Sequence, residues 1–152
     1  MNKIKIRTTG LLGVGFALAM AGLALAGTPY RAGTYRSGAQ TGTLKPGLRL
    51  EVTAGKFAVN RISYPETCTG GGSVIRDEFN FVAGQGASLT GTIDKHGRFS
   101  ARFSSIAGTV KVAGRLQGSS ATTATSETNT FTPAGSTARY TCTASHTFRA
   151  MH

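Results

Sequence analysis

The sequence predicts an all-β fold, an antiparallel β-sandwich of about seven to nine strands held by one disulfide. Three observations carry that expectation. Apolar and polar residues alternate over short windows, with the period of two that sends successive side chains to opposite faces of a strand. The windows end in glycine, of which the 152 residues contain 21, so the turns are short. Beyond the first 26 residues almost no window repeats with the helical period. Short strands with one apolar face bury it by packing sheet on sheet or by closing a barrel. The sandwich is favoured because a disulfide from an early strand to the last one ties the two ends of the chain together.

Taken in order, the chain opens on MNKIKIRTTG, with Lys3, Lys5 and Arg7 and no acid, followed by an apolar run from Leu11 to Ala26 that closes on Ala24-Leu25-Ala26. This is the pattern of a secretory signal peptide cut after Ala26. The run falls short of the roughly 20 residues of a membrane span, and no cysteine follows the cut to take a lipid. Residues 1–26 are therefore expected to direct the protein to the periplasm or the exterior. The full chain carries a net charge of +11; removing this segment takes away three basic residues and no acid, leaving +8. The remainder suits a single domain with one core.

Residues 27–46 are rich in Gly and Thr and read as an extended N-terminal arm or edge strand, with the β-sandwich domain at 47–152. In the first strand Leu48, Leu50 and Val52 face one way and Arg49, Glu51 and Thr53 the other, ended by Ala54-Gly55. The next begins at Phe57 and Val59, then changes phase near Asn60-Arg61 so that Ile62, Tyr64 and Cys68 continue the buried side; such a slip predicts a β-bulge. Phe79 and Phe81 mark another strand. Leu89 and Ile93 lead to a turn at Asp94-Lys95-His96-Gly97, and Phe99, Ala101 and Phe103 form the next inward row. Val110, Val112 and Leu116 follow. The Thr-rich stretch from Ser119 to Ser126 predicts a polar edge strand, since threonine suits strands, and the last strand lies around Tyr140, Cys142 and Phe148.

With export expected, the two cysteines, Cys68 and Cys142, are expected to pair, because thiols oxidise outside the cytosol. His96, His146 and His152 show no metal-ligand spacing beside them, so no metal site is predicted. The three glycines after Cys68 read as slack that lets the chain turn into the next strand.

Two resemblances bear on the fold. Tyr140-Thr141-Cys142 resembles the Tyr-x-Cys strand of immunoglobulin domains, but that family's core Trp is missing and the ten residues after Cys142 are too few for its final loop and strand. Over the whole mature chain, Gly33-Thr34-Tyr35-Arg36-Ser37-Gly38, Cys68, the turn Asp94 to Ser100, the glycine-bounded strand Val110 to Gly118, and Cys142 with Phe148-Arg149-Ala150 resemble a group of small exported bacterial β-sandwich proteins of unknown function. That resemblance implies a secreted β-sandwich with one disulfide and brings no catalytic or binding residues.

No linear motif for an enzyme or a cofactor is present: no G-x-S-x-G elbow, dinucleotide fingerprint, P-loop or H-E-x-x-H. Asp94 and His96 are explained by turn geometry. Glu66, Asp77 and Glu78 read as a solvated charged loop, with calcium binding as the alternative. A glycine run without a helix or lysine beside it is a weak anion cradle. The expectation is a non-enzymatic structural or binding module, with a small hydrolase or carbohydrate-active enzyme built from loops as the alternative. The best functional signal is where the positive charge falls. If Phe99 and Phe103 face the core, Arg98 and Arg102 face outward, and if Val110, Val112 and Leu116 are buried, Lys111 and Arg115 emerge. These four residues are the candidate anion-binding face, for an anionic envelope polymer or a membrane surface, at up to about 1 kcal/mol per cation. Nucleic acid is disfavoured because stacking aromatics are missing from that face.

Overall fold

The computed structural model describes residues 29–38, 45–84 and 86–152. The expected export segment, residues 1–26, lies outside them. Nine strands form one sheet: β1 (Gly33–Gly38), β2 (Gly47–Thr53), β3 (Lys56–Gly70), β4 (Ser73–Val82), β5 (Thr90–Thr92), β6 (Arg98–Ser104), β7 (Gly108–Gln117), β8 (Ser120–Phe131) and β9 (Tyr140–Met151). All their mutual pairings are antiparallel. The order is β4-β3-β2-β1-β9-β8-β7-β6, with β5 on β3 and a second contact between β3 and β9. A bridge from Ile93 to Phe99 joins the β5 end to β6. The pairings therefore run in a closed circuit around one core.

The β2–β3 hairpin shows how local sequence sets this up. Leu48, Leu50 and Val52 are buried and Arg49 and Thr53 exposed, and Gly55 at φ 72° makes the turn. Arg49 pairs with Arg61 but Leu50 with Val59, so Asn60 is an extra residue. This is the expected bulge, and it lets Phe57 and Val59 share the interior with Ile62 and Tyr64.

Strand β3 is long enough to have different neighbours along its length. Its first half lies between β2 and β5, its second half between β4 and β9. Cys68 stands directly opposite Cys142 and bonds to it, with a Cα–Cα distance of 3.9 Å. The glycines that follow are not slack. Gly70 remains in the strand, where a Cβ would sit 2.2 Å from the Arg139 carbonyl oxygen. Gly71 and Gly72, at φ 54° and 77°, make the two-residue turn into β4 that only positive-φ residues close without splaying the strands.

Two further expectations change. The Thr-rich segment is a strand, but β8 lies between β7 and β9 rather than at an edge. Ala121, Thr123, Thr125 and Glu127 point inward and are buried, while Thr122, Ala124, Ser126 and Thr128 are exposed. Threonine can take either side, because its methyl packs and its hydroxyl can return to the backbone; Thr125 Oγ1 donates to the His146 carbonyl at 3.2 Å. Likewise the Gly- and Thr-rich segment before β2 contributes to the core. Tyr35 of β1 is fully buried, its hydroxyl donates to the carbonyl of Arg31 at 2.8 Å, and its ring meets His152 edge-on.

One close approach in the circuit is strict. A Cβ on Gly114 of β7 would lie 2.5 Å from both Phe99 Cζ and the Thr122 carbonyl oxygen. Gly114→Ala is expected to lower stability by about 2 kcal/mol through overpacking, read as a lower urea midpoint at unchanged slope. Replacing both cysteines by Ala opens a loop closed across a sequence separation of 74 and is expected to cost roughly 4 kcal/mol, measured in the same way.

Candidate anion-binding face

The four cations of the candidate face come together. Arg98 stands directly opposite Arg115 and Arg102 directly opposite Lys111 across β6 and β7, and all four are exposed. None makes an ion pair among the described residues. Arg102 Nε donates to Ser104 Oγ at 3.1 Å, which steadies the guanidinium without neutralising it. Between Arg102, Lys111, Thr109, Ser126 and Thr128 lies a polar hollow of about 270 Å³, to which Glu127 also contributes. Strands β6 to β9 carry a single carboxylate, that same Glu127, on the inner side of β8.

Like charges placed directly opposite on neighbouring strands, with Cβ atoms about 5 Å apart, destabilise a sheet. A face arranged only for solubility would mix the signs. The chain has six acidic side chains, and none forms an ion pair with these cations, although the charge of Arg98 also favours the ionised form of Asp94. Asp94, at the start of β6, comes nearest, and its Oδ1 accepts from the backbone N–H groups of His96 and Arg98, both at 2.8 Å. The N–H of Arg98, followed by that of His96, holds its pKa below the usual carboxylate value. Asp94 is thus a turn-capping group, as its sequence context predicts.

The interior holds a feature that the sequence did not reveal. Cys142 of β9 pairs with Cys68 on one side and with Asn129 on the other. Two residues further along β9, Ala144 stands opposite Glu127, and continuing the β3 register by one residue brings Glu66 to its other side. Only a methyl group separates the two rows, so the carboxylates meet over Ala144. Both are buried, Glu66 at 6% and Glu127 at 4% exposure, and Asn129 Nδ2 donates to Oε2 of each, at 3.1 and 2.7 Å. Glu127 Oε1 is buried without a donor in the protein. A proton on Glu127, hydrogen-bonded to Glu66, would satisfy it. Burial, then that hydrogen bond and the charge of Glu66, push Glu127 up to about 9, with Asn129 opposing. Burial also raises the Tyr64 phenol one step further along the same row.

Glu66, Cys68 and Cys142 offer ligand atoms within 4.8 Å of one another, but both sulfurs are committed to the disulfide and metal binding needs thiolates. Asp77 and Glu78 do not form a charged loop with Glu66. They lie on β4, paired with Glu66 and Pro65, because the β3–β4 turn comes as early as Gly71. The alternative of a loop-built hydrolase calls for two carboxylates in an open cleft. Here both carboxylates are buried; Glu127 alone borders the outer hollow of about 270 Å³, and the cavity of about 180 Å³ between Phe79, Phe81, Phe103 and Val110 meets Asn129 but neither acid. A hollow of about 470 Å³ between β2, β3 and β5 holds Glu51 and Lys56 but no paired acids, histidine or cysteine.

Comparison of the chain with family models, with curated proteins and with solved structures finds no match.

The acid pair has a signed consequence for stability. A carboxyl whose pKa is raised by folding binds more protons folded than unfolded between its two pKa values, so it withdraws stability as pH rises through that window. For Glu127 this window runs from about 4.5 to about 9. Wild-type melting temperature is expected to fall across it, and Glu127→Gln, neutral and nearly isosteric, is expected to flatten the fall and melt higher at pH 8. Thermal scans from pH 5 to 9 measure both; parallel profiles for the two proteins would contradict the shared proton.

Proposed function

We propose that this protein is a secreted, non-enzymatic β-sandwich that binds an anionic polymer of the cell envelope through the outer face of β6 and β7. The single observation that carries the reading is the direct opposition of Arg98 to Arg115 and of Arg102 to Lys111, four exposed cations with no ion pair among the described residues; the exposed acid beside them, Asp94, has its Oδ1 held by backbone N–H groups. Two halves of one sheet folded over a shared core give such a face a rigid backing. An anion set between two opposed cations relieves their repulsion and accepts charge-assisted hydrogen bonds from the guanidinium forks. Binding energy then comes from charges already held in place, with little ordering to be done on association.

The experiment replaces Arg98, Arg102, Lys111 and Arg115 together by Ser and measures retention of the purified protein on an immobilised anionic polymer over a salt gradient. The variant is expected to elute at lower salt with a flatter salt dependence. It is also expected to be at least as stable as wild type, because the repulsive cross-strand pairs are gone. Unchanged retention would sink the proposal.

A further inference from the structure

We infer that the site is longer than this face: an arginine band crossing seven strands, whose occupant is a linear phosphate-bearing polymer laid across the sheet. The inference rests on the anion-binding reading above and names the ligand of that same surface.

A second ladder of cations lies on the other side of the circuit. Arg36 of β1 stands directly opposite Arg49 of β2, which stands directly opposite Arg61 of β3, and a hollow of about 260 Å³ opens among these three, Asn60 and Val82. Strand β9 joins the two ladders. Arg149 is paired with Thr122, which is paired with Arg115, opposite Arg98. Two residues on, and on the same outer side, Met151 is paired with Arg36. Arginines therefore stand on β3, β2, β1, β9, β7 and β6, with Thr122 of β8 between Arg149 and Arg115. At about 4.8 Å between strands the band is about 30 Å long.

Two acids touch it. Glu51 binds Arg49 at 3.3 Å and also accepts from Thr34, which offsets one charge of the second ladder. Asp94 stands at the far end with an oxygen held by backbone N–H groups.

The shape selects among anionic partners. The band follows a sheet whose pairings close on themselves, so a flat bilayer meets only part of it, whereas a flexible chain can follow the curve. Cations one or two strands apart, about 5 to 10 Å, are met by anions repeated every few ångströms, as along a phosphate backbone, where one strand of nucleic acid carries a charge about every 3.4 Å. Phe131 and Tyr140 stack on each other at the opposite end of β8 and β9 from Thr122 and Arg149. The other large aromatics among the described residues lie in or against the core, so bases have nothing on the band to stack against, and the chain is recognised through its phosphates alone.

The test uses the full protein with linear polyphosphate as the probe. Affinities are measured for a short oligophosphate that covers one cation pair and for a chain longer than the band. The long chain is expected to bind about a hundredfold tighter through multivalency. Arg36→Ser with Arg149→Ser is expected to remove most of that gain, bringing the long chain's affinity down towards the short chain's; R36Q/R149Q, which keeps more of each aliphatic stem, repeats the measurement if the first pair folds poorly. Loss of long-chain binding in the β6–β7 quadruple variant, with no change in R36S/R149S, would overturn the band and leave the smaller face standing. No change in either variant would overturn both. Equal affinity for polyglutamate of matched length, or anionic vesicles bound with the same dependence on Arg36 and Arg149, would overturn the choice of a linear phosphate polymer.

Discussion

Everything else in this molecule depends on β9 lying between β3 and β8. Each inward residue of β9 makes a row with one residue from either side. The disulfide and Asn129 flank Cys142, the two glutamates flank Ala144, and Thr125 lies opposite His146, whose ring stacks on Tyr64. The covalent bond sits at the start of this series and holds the register of all three strands. A slip by one residue would turn the whole inner face outward. Past this zone β3 diverges from β9, and β2 and β1 fill the opening, which is what makes the circuit wide enough to enclose a core of Leu, Ile, Val and Phe side chains.

The same arrangement sorts charge. Two of the carboxylates are drawn inside, where they share an amide donor and burial raises the pKa of Glu127. Asp77 and Glu78 go to β4 at the end of the strand order, Asp94 closes a turn, and Glu51 answers Arg49. What is left on the outside of β6 to β9 is cationic, set among Ser, Thr and Ala side chains too short to screen it. Surface potential here follows from topology as much as from composition, because a sheet that buries its acids exposes more positive field than its formal charge implies.

Much of this was legible in the sequence, and the limits have physical causes. The period-two windows identified β2, β3, β6 and β7 with their faces, the phase slip at Asn60 located the bulge, and the count of two cysteines identified the disulfide. Arg98, Arg102, Lys111 and Arg115 were placed on one face because strand parity alone decides which side a residue takes. Pairing between distant strands is not encoded in parity. Nothing local says that β8 sits beside β9, so its threonines looked like an edge, and nothing local brings Glu66 to Glu127 across a gap of 61 positions in the numbering. Ala144 was the available clue, a small residue in an inward row of larger ones, but its meaning requires both neighbours to be known. Arg149 and Arg36 were missed for the same reason: each looks solitary on its own strand, and only strand order makes them continuous.

The position of β9 also bears on how the chain acquires its structure. It is the last strand in chain order, yet it contacts β1, β3 and β8, so the contacts that close the circuit are the most distant in sequence. Loop-closure entropy must be met before such contacts reward it. During synthesis from the N-terminus the earlier hairpins can form and dissolve, but the enclosed core waits for β9. The circuit therefore stays open until β9 is available, and the sulfur–sulfur bond sits at the seam that β9 closes.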